Sequence, residues 1–177
     1  MSNSYSLLSF PVLTSERLSL RAISRSDVST ILTLRSDDNV TKFIARPKMK
    51  SEKEALQFIS GRKKDNANYK VFYWAIELKS NHKMIGTVCL WNFSEDKRYA
   101  EIGYELLPTY FGNGYMDETI KEVVKFGFET IELQTIEAFT HYGNASSIKL
   151  LEKNKFILQE KRRDEGFPNN RIYSLKV

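Results

Sequence analysis

Arg17 to Arg21 (RLSLR) alternates apolar and polar side chains, the two-residue period of a half-buried strand. Ser26-Asp27 then offers a helix cap ahead of Val28, Ile31, Leu32 and Leu34, which share one helical face. Ser51 and Glu54 make the S-x-x-E capping-box spacing and predict a helix through about Lys63. VFYWAIEL at 71–78 is aromatic and β-branched and reads as a strand. The turn Ser80-Asn81-His82 joins it to a second strand at 84–91, so the pair reads as a hairpin. After a polar loop, Asn92 to Arg98, AEIGYELL at 100–107 predicts a third strand. Pro108 ends it, because proline has no N–H for a ladder.

Met116, Ile120, Val123, Val124, Gly127 and Phe128 fall on one face of a helix that begins near Gly114. Thr135 to Thr140 predicts a strand. Asn144 can cap a helix through about Asn154, with Ile148, Leu150 and Leu151 apolar. Phe156–Gln159 and Arg171–Leu175 close the chain as strands. The order β, α, α, β, β, β, α, β, α, β, β implies an α+β fold with a mixed, mostly antiparallel sheet flanked by helices, not a doubly wound parallel one. There is no repeat, low-complexity tract or linker, so residues 1–177 read as a single domain.

With 41% hydrophobic and 28% charged side chains over 177 residues, the chain is long enough to bury roughly 70% of its unfolded surface. The lone Cys89 excludes an internal disulfide and a Cys-rich zinc site. His82 and His141 lie too far apart in sequence to suggest a metal site, so no metal is expected. No run of 18 apolar residues occurs, and MSNSYSLLSFPVL lacks the basic start and long apolar core of a secretory leader. The expected location is the cytoplasm, with no membrane partner. The net charge of +5 is spread over RKK (62–64), KRR (161–163) and scattered positions, so nucleic acid is not the expected ligand.

Candidate chemistry concentrates where the strand ends. Gly112-Asn113-Gly114 opens the helix, and a helix N-terminus presents unpaired N–H groups and a positive dipole end. Glycines let a diphosphate approach that backbone. The segment has neither the G-K-[ST] of a Walker loop nor the third glycine of a dinucleotide fingerprint. Taken alone, the pair also reads as turn glycines between strand and helix.

The surroundings are more specific. AEIGYELLPTYFGNGYMDE resembles the acyl-coenzyme-A loop of the GNAT superfamily of N-acetyltransferases, in particular the RimJ/RimL-type ribosomal-protein branch. Asn144, Ser147, Leu151-Glu152-Lys153 and Phe156 follow in that branch's order. TSERLSLR (14–21) resembles its first strand and IGTVCLWNF (85–93) the strand before the motif. The resemblance implies the GNAT acyl-CoA N-acyltransferase fold, with central parallel strands that splay apart, and acetyl-CoA as cosubstrate. Backbone groups near Glu105, Leu106 and Leu107 would pair with the pantetheine arm. The amides of Phe111, Gly112, Asn113, Gly114, Tyr115, Met116 and Asp117 would hold the pyrophosphate, and Asn144 would contact the arm. Three positions depart from the family pattern: Thr109 replaces a usual Arg or Gln, Asp117 places a negative charge beside the phosphates, and Lys155 stands where glycine is usual before Phe156.

The same resemblance implies direct transfer through a ternary complex, without an acyl-enzyme. The tyrosine many relatives use as the acid is Leu151 here, which leaves Ser147 as the candidate proton donor at the thiol; its plainer reading is a hydroxyl serving the helix's first turn. Glu101 matches a glutamate used as base by histone-acetylating relatives. Alternation puts Glu101, Gly103 and Glu105 on one face, where the two carboxylates raise each other's proton affinity or instead pair with Lys and Arg. Glu165 and His141 are further base candidates, and a water relay is the alternative to all of them. Cys89, mid-strand, reads as core. Tyr73, Trp74, Trp91 and Tyr104 read as core aromatics, with lining of an acceptor pocket as the alternative reading for one or two of them. The implied acceptor is a primary amine, first a protein or peptide N-terminal α-amine and next a small molecule (polyamine, amino acid or antibiotic). A non-catalytic acyl-CoA-binding domain is the rival reading. Monomer and homodimer both remain open.

Overall fold

The alternating segments become strands and the capped ones helices in a computed structural model that describes residues 9–177. Most of MSNSYSLLSFPVL, the stretch read as carrying no leader, lies outside the described residues. A short β1 (Leu13–Thr14) precedes β2 (Leu18–Ala22). A 3-10 turn at Arg25–Asp27 leads into α1 (Val28–Ser36). Asp27 is buried but makes no side-chain bond to the α1 amides; it accepts from Arg21 on β2 at 2.8 Å and from the Ser24 amide at 2.7 Å, and so ties strand to helix.

The hydrophobic pattern gave no sign of the one-turn α2 (Asp38–Thr41), which Asp37 caps through the amides of Asn39 and Val40. α3 (Glu52–Ala67) starts as predicted, with Ser51 Oγ accepting from the Glu54 amide at 3.3 Å. The returning bond from Glu54 goes to the Lys50 amide rather than to Ser51. The helix outlasts its predicted end because the buried Asn66 side chain pairs with both the N–H and the C=O of Tyr73 at 2.9 and 3.1 Å.

The strands β3 (Phe72–Leu78) and β4 (Met84–Trp91) form the predicted hairpin, and β5 (Tyr99–Leu106) pairs antiparallel with β4 to extend it into a meander. α4 (Tyr115–Lys125) continues into a π-helical turn, Phe126–Thr130, where the Ile131 amide reaches back to Phe126 O. Then come β6 (Thr135–His141), α5 (Ala145–Lys153), β7 (Ile157–Leu158) and β8 (Asn170–Lys176). The sheet order is β1-β2-β3-β4-β5-β6-β8-β7, antiparallel throughout except for β5 beside β6.

Helices cover both faces. α4 and α5 bring Met116, Ile120, Val123 and Leu151 onto the face that carries Phe72, Trp74 and Ile102. Phe126 meets Phe72 and Trp74 edge-on at 5.2 and 5.5 Å, which pins the end of α4 to the sheet. Each such fully buried ring contributes about 2–3 kcal/mol. α1 and α3 cover the other face with Ile31, Leu34, Ala55 and Ile59 against Tyr73 and Ala75. Among the described residues, no helix is long and apolar enough to cross a membrane.

One feature of the sheet positions the site. β5 and β6 pair only through Tyr99–Thr135, Ala100–Ile136 and Glu101–Glu137. Beyond that last pair both strands continue, to Leu106 and His141, without meeting.

Candidate active site

The gap between the strands opens into a cavity of about 580 Å³. Its walls are residues 102–106 of β5, residues 138–141 of β6, the loop before α4 and one side of α5, with Phe43 and Ile44 opposite. Backbone alternation decides which strand groups face the gap. The Leu107 amide donates to Ile85 O on β4 at 2.8 Å. Residues 105 and 107 therefore turn their polar backbone toward β4, while Tyr104 and Leu106 turn theirs toward β6. Of the trio expected to meet an extended ligand, Leu106 turns its backbone to the cleft, as does Tyr104, while Glu105 and Leu107 turn theirs to β4.

The loop at the cleft's end is organised around two glycines. Gly112 and Gly114 hold φ of +75° and +78°, a region costly for residues with a Cβ. A Cβ on Gly112 would meet nothing within 4 Å, so the space above it is open to a ligand. The Phe111 amide is already bonded to Pro108 O at 3.1 Å, which removes it from the expected donor set. The first amide that α4 pairs internally is that of Glu118, with Gly114 O at 3.1 Å. The amides of Tyr115, Met116 and Asp117 are thus the helix's open donors, at its positive dipole end.

Two side-chain arrangements around this loop were not foreseen. Thr109 is exposed, but Arg17 of the segment leading into β2 brings a guanidinium to the loop. Arg17 donates to Asn113 O at 3.1 Å and to Glu118 Oε2 at 2.8 Å, and lies over the Tyr115 ring at 4.3 Å. Ser15 Oγ donates to the other Glu118 oxygen at 2.6 Å, which completes a strap from the first strands to α4. Asp117 is neutralised by Lys121 at 2.9 Å and Lys153 at 3.0 Å, and accepts from Asn154 at 2.9 Å. Burial opposes its ionisation, but these bonds outweigh it and hold the carboxyl at about 2. The repulsion of phosphate expected from Asp117 is offset by this pairing.

On α5, Asn144 Oδ1 accepts from the Ser147 amide at 3.2 Å and caps the helix. Ser147 is buried, lines the cavity and lies with its Oγ 2.8 Å from the Tyr104 hydroxyl. Leu151 is fully buried core.

The carboxylates part company. Arg46 forms a two-pronged ion pair with Glu105, one leg at 2.7 Å, and Arg35 stands 3.9 Å away. Glu105 is thus paired with arginine, one of the two arrangements its sequence position allows. Glu101 still binds its proton more tightly than usual, first through burial and then through the charges of Asp164 and Glu137, against a 2.6 Å bond from Asn92. It belongs to the last paired rung of β5 and β6, outside the cavity wall. Glu165 is exposed on the loop before β8 and does not line the cavity. His141 does line it, with Nδ1 accepting from the Gly143 amide at 3.0 Å. Cys89 is partly buried on β4, and burial pushes its thiol up to about 12, which suits core and not a nucleophile. Trp74 is core and bonds Pro11 O, while Trp91 is exposed at its strand end.

Comparison with known proteins agrees with this geometry. A family model described as an acetyltransferase (GNAT) domain matches residues 17–157. The uncharacterised N-acetyltransferase YoaA of Bacillus subtilis (strain 168) is 32% identical over 168 residues, 95% of each chain. The spermidine N(1)-acetyltransferase of Vibrio cholerae is 24% identical over 160 residues, 90% of each. The solved structure of RimL, a ribosomal L7/L12 alpha-N-protein acetyltransferase in complex with coenzyme A, superposes with a TM-score of 0.82 at 18% identity, over 94% of this chain and 98% of that one. A sheet parted beside a glycine-opened helix, on a chain matched by that model over most of its length, leaves one assignment: the protein belongs to the GNAT family and is an acetyltransferase.

Proposed function

We propose that the acyl donor is acetyl-CoA and that the acceptor is the N-terminal α-amine of a protein or peptide. The observation that carries the donor is the unpaired stretch of β5 beyond Glu101, leading straight to the open amides of α4. Bound there, the donor supplies an acetyl group as a thioester. The amides of Gly112 to Asp117 hold its pyrophosphate, and Tyr104 and Leu106 hydrogen-bond its arm as an added strand would. Asn144 lines the arm's path from α5. Ser147 gives a proton to the leaving sulfur, and transfer is direct.

The amine's own proton leaves through water. Glu105 and Asp117, the carboxylates lining the cavity, are both engaged by cations. Glu101, two residues along the strand from Gly103, has the raised proton affinity to receive that proton. This reading gives Glu165 no role.

The acceptor side favours a peptide. A second space of about 330 Å³ adjoins the first, between residues 42–45 and 166–170, and shares Phe43, Ile44 and His141 with it. The two cavities together suit an extended chain. A polyamine would call for several free carboxylates, and the residues lining both spaces supply none that is unpaired. Support for the peptide also comes from the named activity of RimL, and support for the small amine from that of the spermidine enzyme.

The test is coenzyme A release over a panel of peptides, polyamines, aminoglycosides and amino acids. Free-N-terminus peptides should support turnover, and the same peptides blocked at the α-amine should not. Turnover confined to polyamines would overturn the acceptor; binding of acetyl-CoA without turnover on any amine would favour a non-catalytic role.

A further inference from the structure

Tyr104 lies on the β5 face that packs against α4 and α5, and its hydroxyl is within 2.8 Å of Ser147 Oγ. Both residues line the cavity. A serine hydroxyl has one hydrogen to give and two lone pairs to accept with. If Ser147 gave its hydrogen to Tyr104, none would remain for a leaving sulfur. With Tyr104 as donor, the Ser147 hydrogen is free to turn into the cavity. Burial pushes the Tyr104 phenol up to about 12, against the opposing bond to Ser147, so the phenol keeps its hydrogen at neutral pH. A ring needed only for packing would be served by phenylalanine; here the hydroxyl has one specific partner.

We infer that Tyr104 is a positioning residue whose hydroxyl donates to Ser147 Oγ and aims the Ser147 hydrogen at the leaving sulfur. The inference rests on the reading of Ser147 as proton donor. As the carbon–sulfur bond breaks, sulfur keeps the electron pair and takes the Ser147 proton. The negative charge this leaves on Ser147 Oγ is stabilised by the Tyr104 hydrogen bond, from a phenol that is a far stronger acid than an alcohol. The proton lost by the attacking amine, received by Glu101, passes on through water to reprotonate Ser147, so the cycle balances.

Tyr104→Phe keeps the ring and deletes only the hydroxyl. It should lower kcat roughly tenfold, with the KM for acetyl-CoA and the melting temperature close to those of the unaltered protein. Placed in a Ser147→Ala background, it should cost nothing further, because its partner is gone. An unchanged kcat in Tyr104→Phe beside an impaired Ser147→Ala overturns the inference alone. So does a further loss in the double variant, or a loss that appears only in KM. A fully active Ser147→Ala overturns the reading of Ser147 itself, and the inference with it.

Discussion

Lys155 stands where the resemblance leads one to expect glycine, and its backbone gives a physical reason for that expectation. It holds φ of +68°, left-handed, immediately after α5. The Lys155 amide bonds Glu152 O and the Phe156 amide bonds Leu151 O, both at 3.0 Å, which is the Schellman termination, with Phe156 and Leu151 packed together in the core. A lysine there bears a strain that glycine does not. Lys155→Gly should therefore stabilise the protein by about 1 kcal/mol, seen as a rise of roughly 2–4 °C in Tm, with acetyl transfer unchanged. At this scale the sequence exposes the anomaly but not its cause. It also conceals partners: Arg46 lies 59 positions from Glu105, and Arg17 96 from Asn113, so no spacing rule links them.

Whole elements read better than partners. Every predicted strand and helix forms, and the Ser51 and Asn144 caps act as their types require. What escapes is short or tertiary: α2 and β1 span too few residues to show a period, and α3 runs on to Ala67 because a buried asparagine holds it. The link between α4 and α5 is equally invisible in the pattern, since Asp117 meets Lys153 and Asn154 only in the fold. Its carboxyl falls from an ordinary 3.8 to about 2, so the stability it contributes is present above about pH 4 and lost as pH falls toward 2. Asp117→Asn should cost about 1 kcal/mol at neutral pH, given the exposed lysines. In urea titrations, the gap between variant and unaltered protein should close over that acid window; a gap constant with pH would mean the ion pairs contribute nothing.

For the whole molecule, the order of elements yields the mixed sheet, and the resemblance yields the parted strands; hydrophobic period alone cannot, because the alternation along β5 runs on unchanged past Glu101, where the pairing ends. On the proposed binding mode, that gap grips the donor by main-chain contacts to its arm and phosphates, with little purchase on the acetyl group. The spent carrier offers the same arm and the same phosphates. Free coenzyme A should then inhibit competitively against acetyl-CoA, with an inhibition constant within a few-fold of the donor's dissociation constant, measurable from initial rates at several donor concentrations. Noncompetitive inhibition would place the two at different sites. A three-rung seam that ends at Glu101 and Glu137 thus makes the catalyst a gauge of the ratio between loaded and unloaded carrier, throttled whenever unloaded carrier accumulates.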